Sequence, residues 1–206
     1  TELAGKIVHI PRVLYHWRVH SASTADNPAS KLYAYEAGKK AIEGNLLRCG
    51  ETGTVTLRSD YGFYDVEYQL QGTPLVSILI PNKDQADTLR TCIESIRKKC
   101  TYPAFEILVI ENNSTEEATF SYYKELEVQG IRVLQYPKQG FNYSAINNYG
   151  ASFATGDYYV LMNNDIEVIT PQWMEYMLGY CQRENTGIVG AKLYYPDDTV
   201  QHCGVV

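Results

Sequence analysis

Val76-Ser77-Ile78-Leu79-Ile80-Pro81-Asn82-Lys83-Asp84 decides the fold: an apolar run, broken only by Ser77, stops abruptly in a proline and three polar residues. A strand with no polar alternation is buried on both faces, which is how strands of a parallel sheet under helices read. The same pattern recurs downstream. Strands are expected at Val76 to Ile80, Glu106 to Ile110, Ile131 to Tyr136, Tyr158 to Met162 and Gly187 to Ala191, with amphipathic segments between them. Alternation of this kind predicts an α/β sheet with helices on its faces.

The intervening helices carry their own signals. Leu89, Cys92, Ile93 and Ile96 recur at helical spacing behind an Asp84 cap and ahead of Arg97-Lys98-Lys99, which suits a helix C-terminus. Ser114-Thr115-Glu116-Glu117 has the form of a capping box, and Gly130 closes that helix. A third helix presents Ile146, Tyr149, Gly150 and Phe153 on one face. A fourth opens with Thr170 and Pro171 and buries Trp173, Met174, Met177 and Leu178.

The first seventy or so residues read differently. Ile7 to Trp17 is strand-like, but Pro11 demotes it to an edge or extended segment. Ser30 to Leu47 is expected as a helix burying Tyr35, Ile42 and Leu46. Thr54 to Leu57 and Tyr64 to Leu70 flank Ser59-Asp60-Tyr61-Gly62 as a β-hairpin.

Bulk properties narrow the function classes. The chain has 206 residues, 45% hydrophobic and 20% charged, an ordinary globular composition. A net charge of -6 disfavours nucleic acid as a partner, since such binders carry a basic face. The five cysteines, Cys49, Cys92, Cys100, Cys181 and Cys203, are scattered without a C-x-x-C pair, and read as reduced thiols of a cytoplasmic protein. No apolar run approaches the ~18 residues of a membrane helix. The chain starts without Met and reads as an excised piece of a longer one.

In an open α/β sheet, ligands bind beyond the carboxyl ends of the strands. Pro81-Asn82-Lys83-Asp84, Glu111-Asn112-Asn113-Ser114 and Asn163-Asn164-Asp165 each follow a strand, so three polar clusters fall on one rim. Each also has a local reading as turn and helix cap, above all at Asp84 and Ser114. Asn163-Asn164-Asp165 resists that reading, because Ile166-Glu167-Val168 resumes a strand-like pattern instead of opening a helix. A hard divalent cation, Mg²⁺ or Mn²⁺, gives the bend a purpose: Asp165 supplies a carboxylate oxygen and a diphosphate completes the shell.

The three blocks, together with Phe141 to Gly150, the segment Leu161 to Ile169, and Val189-Gly190-Ala191-Lys192-Leu193 with Val200-Gln201-His202, resemble family 2 glycosyltransferases across residues 74 to 206. The resemblance implies a GT-A fold, a Rossmann-like, doubly wound and mostly parallel sheet, here truncated and preceded by the extended segment, the helix and the hairpin. It also implies roles. Pro81, Asn82, Lys83 and Asp84 would line a nucleotide pocket, with Asn113, Asn163 and Asn164 in the same nucleotide-sugar site and Glu111 against the base. Asn147 would approach the diphosphate, unless it is simply a residue of a core helix. Asp165 corresponds to the metal-binding Asp, while Asn163 stands where the family's first Asp does. Residues 1–29, with Ile10 to His20 and its alternating His16, Arg18 and His20, resemble the tail of a preceding glycosyltransferase domain. Residues 30–73 would be a linker.

The activity so implied is inverting transfer of a sugar from a UDP- or dTDP-sugar to a glycan or lipid-linked acceptor, in assembly of a cell-surface polysaccharide at the inner face of the membrane. Association with that membrane would be peripheral. The general base is expected beyond Val206, leaving this piece inactive by itself. The alternative is a sugar-nucleotide or glycan-binding domain without turnover. A dehydrogenase would want a glycine-rich loop after the first strand, and Pro81-Asn82-Lys83-Asp84 has no glycine.

Overall fold

The computed structural model describes residues 4–16, 18 and 31–204. They divide into two compact units, one ending at Glu67 and the other beginning at Tyr68.

In the first unit, helix α1 (Leu32–Arg48) buries Leu46 and half-buries Tyr35 and Ile42. Strands β1 (Gly53–Leu57) and β2 (Tyr64–Tyr68) pair across a turn closed by Arg58 N–H to the Phe63 carbonyl, 3.0 Å, which is the expected hairpin. The Tyr64 hydroxyl donates to the Tyr35 carbonyl at 2.9 Å, and Tyr35 stacks on Tyr61. Of the edge or extended segment expected over Ile7 to Trp17, the described residues join no ladder. Pro11 offers no N–H to a ladder, and Arg12 N–H turns back onto the Ile10 carbonyl instead. His16 and Arg18 are exposed; Trp17, Val19, His20 and Ser30 lie outside the described residues.

The second unit is built on β3 (Val76–Asn82), β4 (Phe105–Glu111), β5 (Arg132–Gln135) and β6 (Tyr158–Leu161), in the order β5-β4-β3-β6 with every pairing parallel. Alternate side chains of the two central strands explain their apolar runs. Val76, Ile78, Ile80, Ile107 and Val109 face helices α2 (Ala86–Lys99), α3 (Glu117–Val128) and α5 (Trp173–Cys181). Leu79, Leu108 and Ile110 face α4 (Tyr143–Ala151) through Ile146. Each such side chain, fully buried, is worth roughly 1.5–3 kcal/mol against exposure. The chain runs outward from β3 through β4 to β5, then returns to add β6 on the other side of β3. That reversal opens a crevice between β3 and its neighbours at their carboxyl ends.

Three local expectations are corrected. Gly187 to Ala191 pairs with no strand among the described residues, and Ile188 is 92% exposed, because an apolar run becomes a strand only where a ladder partner exists. Beyond it Leu193–Tyr194 (β7) and Val200–His202 (β8) form a small antiparallel pair. Helix α5 starts at Trp173, not Pro171, whose carbonyl is held by Thr101. Ile166 to Val168 is also no strand; its Val168 N–H donates to Ser95 Oγ of α2 at 3.0 Å.

Where β6 begins, Gly156 N–H donates to Ser77 Oγ, and a Cβ on Gly156 would lie 2.7 Å from the Leu75 carbonyl oxygen and 2.8 Å from the Ser77 nitrogen. Both are main-chain atoms of β3 and its lead-in, which cannot turn aside. Gly156→Ala is expected to cost about 1–3 kcal/mol, read as a lower urea midpoint at unchanged slope. An unshifted midpoint would mean that this end of the sheet yields.

Candidate active site

Four strand ends converge on one rim. After β3 the main chain makes two successive left-handed residues, Asp84 (φ 54°) and Gln85 (φ 55°), before α2. Asp84 is therefore not the cap of its own helix, as had been expected; the N-cap position belongs to Gln85, without a side-chain bond. Its carboxylate reaches the next loop and accepts from Thr115 N–H at 2.6 Å and Glu116 N–H at 3.0 Å. Bonds from Glu116 and Thr115 hold the Asp84 carboxyl below the usual carboxylate range. In return Glu116 Oε2 accepts Gln85 N–H at 3.2 Å. The Ser114 capping box is accordingly not closed within its own segment: a reciprocal set of side-chain to main-chain bonds joins the two loops instead.

Ser114 is occupied elsewhere. Its N–H and hydroxyl both donate to Glu111, at 2.5 Å each, and Tyr123 O–H donates to Glu111 Oε2 at 2.7 Å. Glu111 is 1% exposed, so these three donors replace water around a buried carboxylate. Asn82, 2% exposed, donates from Nδ2 to the Tyr123 hydroxyl at 2.7 Å and to the Asp84 carbonyl at 3.0 Å. Asn82 Oδ1 accepts Asn164 Nδ2 at 2.6 Å. Burial pushes the Tyr123 hydroxyl well above the usual tyrosine range, so it remains a donor.

Two cavities open on this rim. The larger, about 730 Å³, is lined by Pro81, Asn82 and Lys83 from β3 and its loop, by Asn113, and by Asn164 and Asp165 after β6. It thus gathers all three polar clusters. The smaller, about 470 Å³, is lined by Glu111 and Asn113 with Phe120, Tyr136 and Gln139. Asp84, Asn147 and Asn163 line neither. Asn147 is buried in α4, donates to the Tyr143 carbonyl at 2.9 Å, and leaves Oδ1 without a partner.

Asn113 belongs to both cavities. It is left-handed (φ 62°), its Nδ2 donates to the Lys138 carbonyl at 3.1 Å, and its buried Oδ1 accepts nothing. The loop after β5, Gln139-Gly140-Phe141, completes the larger cavity. Of this loop the sequence reading took in only Phe141, as the start of a longer segment; Gly140, left-handed at φ 84°, makes the turn there.

Among the described residues no group of three His, Cys, Asp or Glu side chains comes together to hold a metal. The donor set at the bend is one exposed carboxylate, Asp165, beside neutral amides. That set suits Mg²⁺ or Mn²⁺ shared with phosphate oxygens, and does not make a closed protein cage.

Residues 77–204 match the model of glycosyl transferase family 2. The chain belongs to that family. It is 42% identical over 204 residues to the uncharacterized protein y4gI of Sinorhizobium fredii, covering 98% of this chain and 22% of the relative. It is 40% identical over 206 residues to the O-antigen biosynthesis protein RfbC of Myxococcus xanthus, covering all of this chain and 16% of the relative. The chain thus spans about a fifth of these curated relatives or less. A solved mannosyltransferase, PcManGT from Pyrobaculum calidifontis in complex with GDP-Man and Mn²⁺, aligns with TM-score 0.51 at 16% identity, over 82% of this chain and 47% of that one. The fold is GT-A.

Proposed function

We propose that this chain binds the donor in an enzyme that transfers a sugar from a nucleotide-diphosphate sugar to a glycan or lipid-linked acceptor, in the synthesis of a cell-surface polysaccharide. The observation that carries the reading is the larger cavity, where three strand ends bring Lys83, neutral amides and a single carboxylate, Asp165, around one space. A nucleoside diphosphate needs such a mixture: amides for the base and ribose, a cation and main-chain donors for the phosphates. Family membership, the O-antigen relative and the GDP-Man and Mn²⁺ bound to the structural neighbour support it.

In this reading the base lies toward the smaller cavity. Asn113 Oδ1 and the remaining lone pair of Glu111 Oε1 are acceptors there for a ring N–H, which uracil and thymine have and cytosine lacks. Lys83 offers positive charge to the diphosphate. Asp165 would hold Mg²⁺ or Mn²⁺, which when bound supplies Lewis-acid neutralisation of the departing diphosphate. Inverting transfer also needs a carboxylate that takes the acceptor's hydroxyl proton, a role assigned to none of the described residues. No helix among them is long and apolar enough to cross a membrane. We place the full-length enzyme in the cytoplasm, peripheral to the membrane's inner face.

Calorimetric titration with UDP, dTDP and GDP, with and without Mn²⁺, tests the proposal. Mn²⁺ should tighten the preferred nucleotide, and Asp165→Ala should lose on the order of 10-fold or more of that affinity. Affinity that is insensitive to both metal and substitution would refute the metal assignment, and absence of binding would refute the donor site.

A further inference from the structure

Tyr123 sits on α3, 5% exposed, and lines neither cavity. Its hydroxyl nevertheless lies in the middle of a directed chain of hydrogen bonds that ends at the cavity wall. Glu111 as a carboxylate only accepts, so Tyr123, 2.7 Å from Oε2, must donate to it. The single hydroxyl proton is then used; Ser114 Oγ, 3.4 Å away, gives its own proton to Glu111, so the tyrosine oxygen accepts from Asn82. Asn82 must therefore turn its amide NH₂ toward Tyr123, where the Asp84 carbonyl demands a donor as well. That orientation leaves Asn82 Oδ1 facing Asn164, which must donate from Nδ2 in its turn. Asn164 and Asp165 are adjacent on the turn after β6.

We propose that Tyr123 is a positioning residue: by fixing which end of the Asn82 amide faces Asn164, it holds the Asn163-Asn164-Asp165 bend in the orientation that presents Asp165 to the larger cavity. The inference rests on the donor-site reading above, with Asp165 as the cation's carboxylate. Without the hydroxyl, the shorter of the two bonds that orient the Asn82 NH₂ is gone, and only the Asp84 carbonyl, at 3.0 Å, still calls for a donor there. A flipped Asn82 would set its NH₂ against that of Asn164, two donors facing each other, and the bend would be released.

Tyr123→Phe removes the hydroxyl and leaves the ring in its place. Calorimetry with UDP and GDP, each with and without Mn²⁺ and well below the variant's unfolding midpoint, separates positioning from mere stability. Affinity without metal should stay within about 2- to 3-fold of the parent, since Tyr123 lines no cavity and bonds Glu111 through Oε2, whereas Oε1 is the oxygen offered to the base. The Mn²⁺-dependent gain should fall on the order of 10-fold, the size typical of losing an outer-shell partner. Asn164→Ala should show the same loss, and the double variant no further loss, because both act on one chain of bonds. Side-chain amide resonances of Asn82 and Asn164 in ¹H–¹⁵N spectra of the nucleotide-free protein should shift in Tyr123→Phe, a readout that needs no ligand. A Mn²⁺ gain in the parent that Tyr123→Phe retains overturns this inference alone, whether or not the amide resonances move. No Mn²⁺ gain in the parent overturns the metal reading and this inference together.

Discussion

Glu111→Ala should lower the stability of the fold by on the order of 3 kcal/mol or more, seen as a large drop in the urea or thermal midpoint. The substitution strands the buried Tyr123 O–H together with the half-buried Ser114 N–H and O–H, and an unsatisfied buried group costs about 1–3 kcal/mol. It also opens a void beneath the loop between β4 and α3. A domain of ordinary stability has only about 5–15 kcal/mol in all, so a partly unfolded population at physiological temperature is expected. Glu111→Gln keeps one acceptor and should lose less. If Glu111→Ala melts with the parent, the three donors find water, and the carboxylate is dispensable to the fold.

Alkaline destabilisation should be steep and should begin near pH 9. Burial pushes the Cys92 thiol from its ordinary 9.0 up to about 12, and likewise moves Tyr122 from 10.0 to about 12. Between those values the unfolded chain has released protons that the native chain still holds, so the unfolded state binds fewer and stability falls as pH rises. Below pH 9 neither group contributes any slope. At about 1.4 kcal/mol per unit, Cys92 alone removes roughly 2–3 kcal/mol by about pH 11. Denaturant titrations at successive pH values read the slope directly. Cys92→Ala should be less stable at neutral pH through its cavity, yet flatter between about pH 9 and 10, before Tyr122 begins to weigh. An equally steep variant would assign the slope to other groups.

What was legible in the sequence was whatever the burial of one element decides by itself. Val76 to Ile80 and Glu106 to Ile110 read as strands because both sheet faces are covered, and Leu89, Cys92, Ile93 and Ile96 read as one helical stripe because one face is. The three polar clusters were legible because strand ends in such a sheet point to a common rim. What depends on a partner distant in sequence was not legible. Gly187 to Ala191 has the composition of a strand and no ladder to join. Asp84 and Ser114 look like caps of the helices that follow them, yet each bonds to a group that local pattern does not reveal. The enclosure of Glu111 depends on Tyr123, twelve residues away and on another element. Gln139-Gly140-Phe141 looked like any turn until the strand order set it beside β3 and β4.

The exchange of bonds between Asp84 and Glu116 ties the loop that leads into α3 to the order of folding. The first N–H groups of a helix are open donors that a neighbouring side chain often satisfies, yet α3 has no such side-chain cap, and the N–H groups of the loop before it turn to Asp84. Here the acceptor for Thr115 N–H is 31 residues earlier, so it arrives only after that stretch of chain has looped back and the β3 and β4 ends have aligned. As a free peptide, α3 would fray from its N-terminus. In the whole chain the lead-in to α3, Thr115 and Glu116, is held to Asp84 only when the rim itself assembles, and Thr115 lines both cavities.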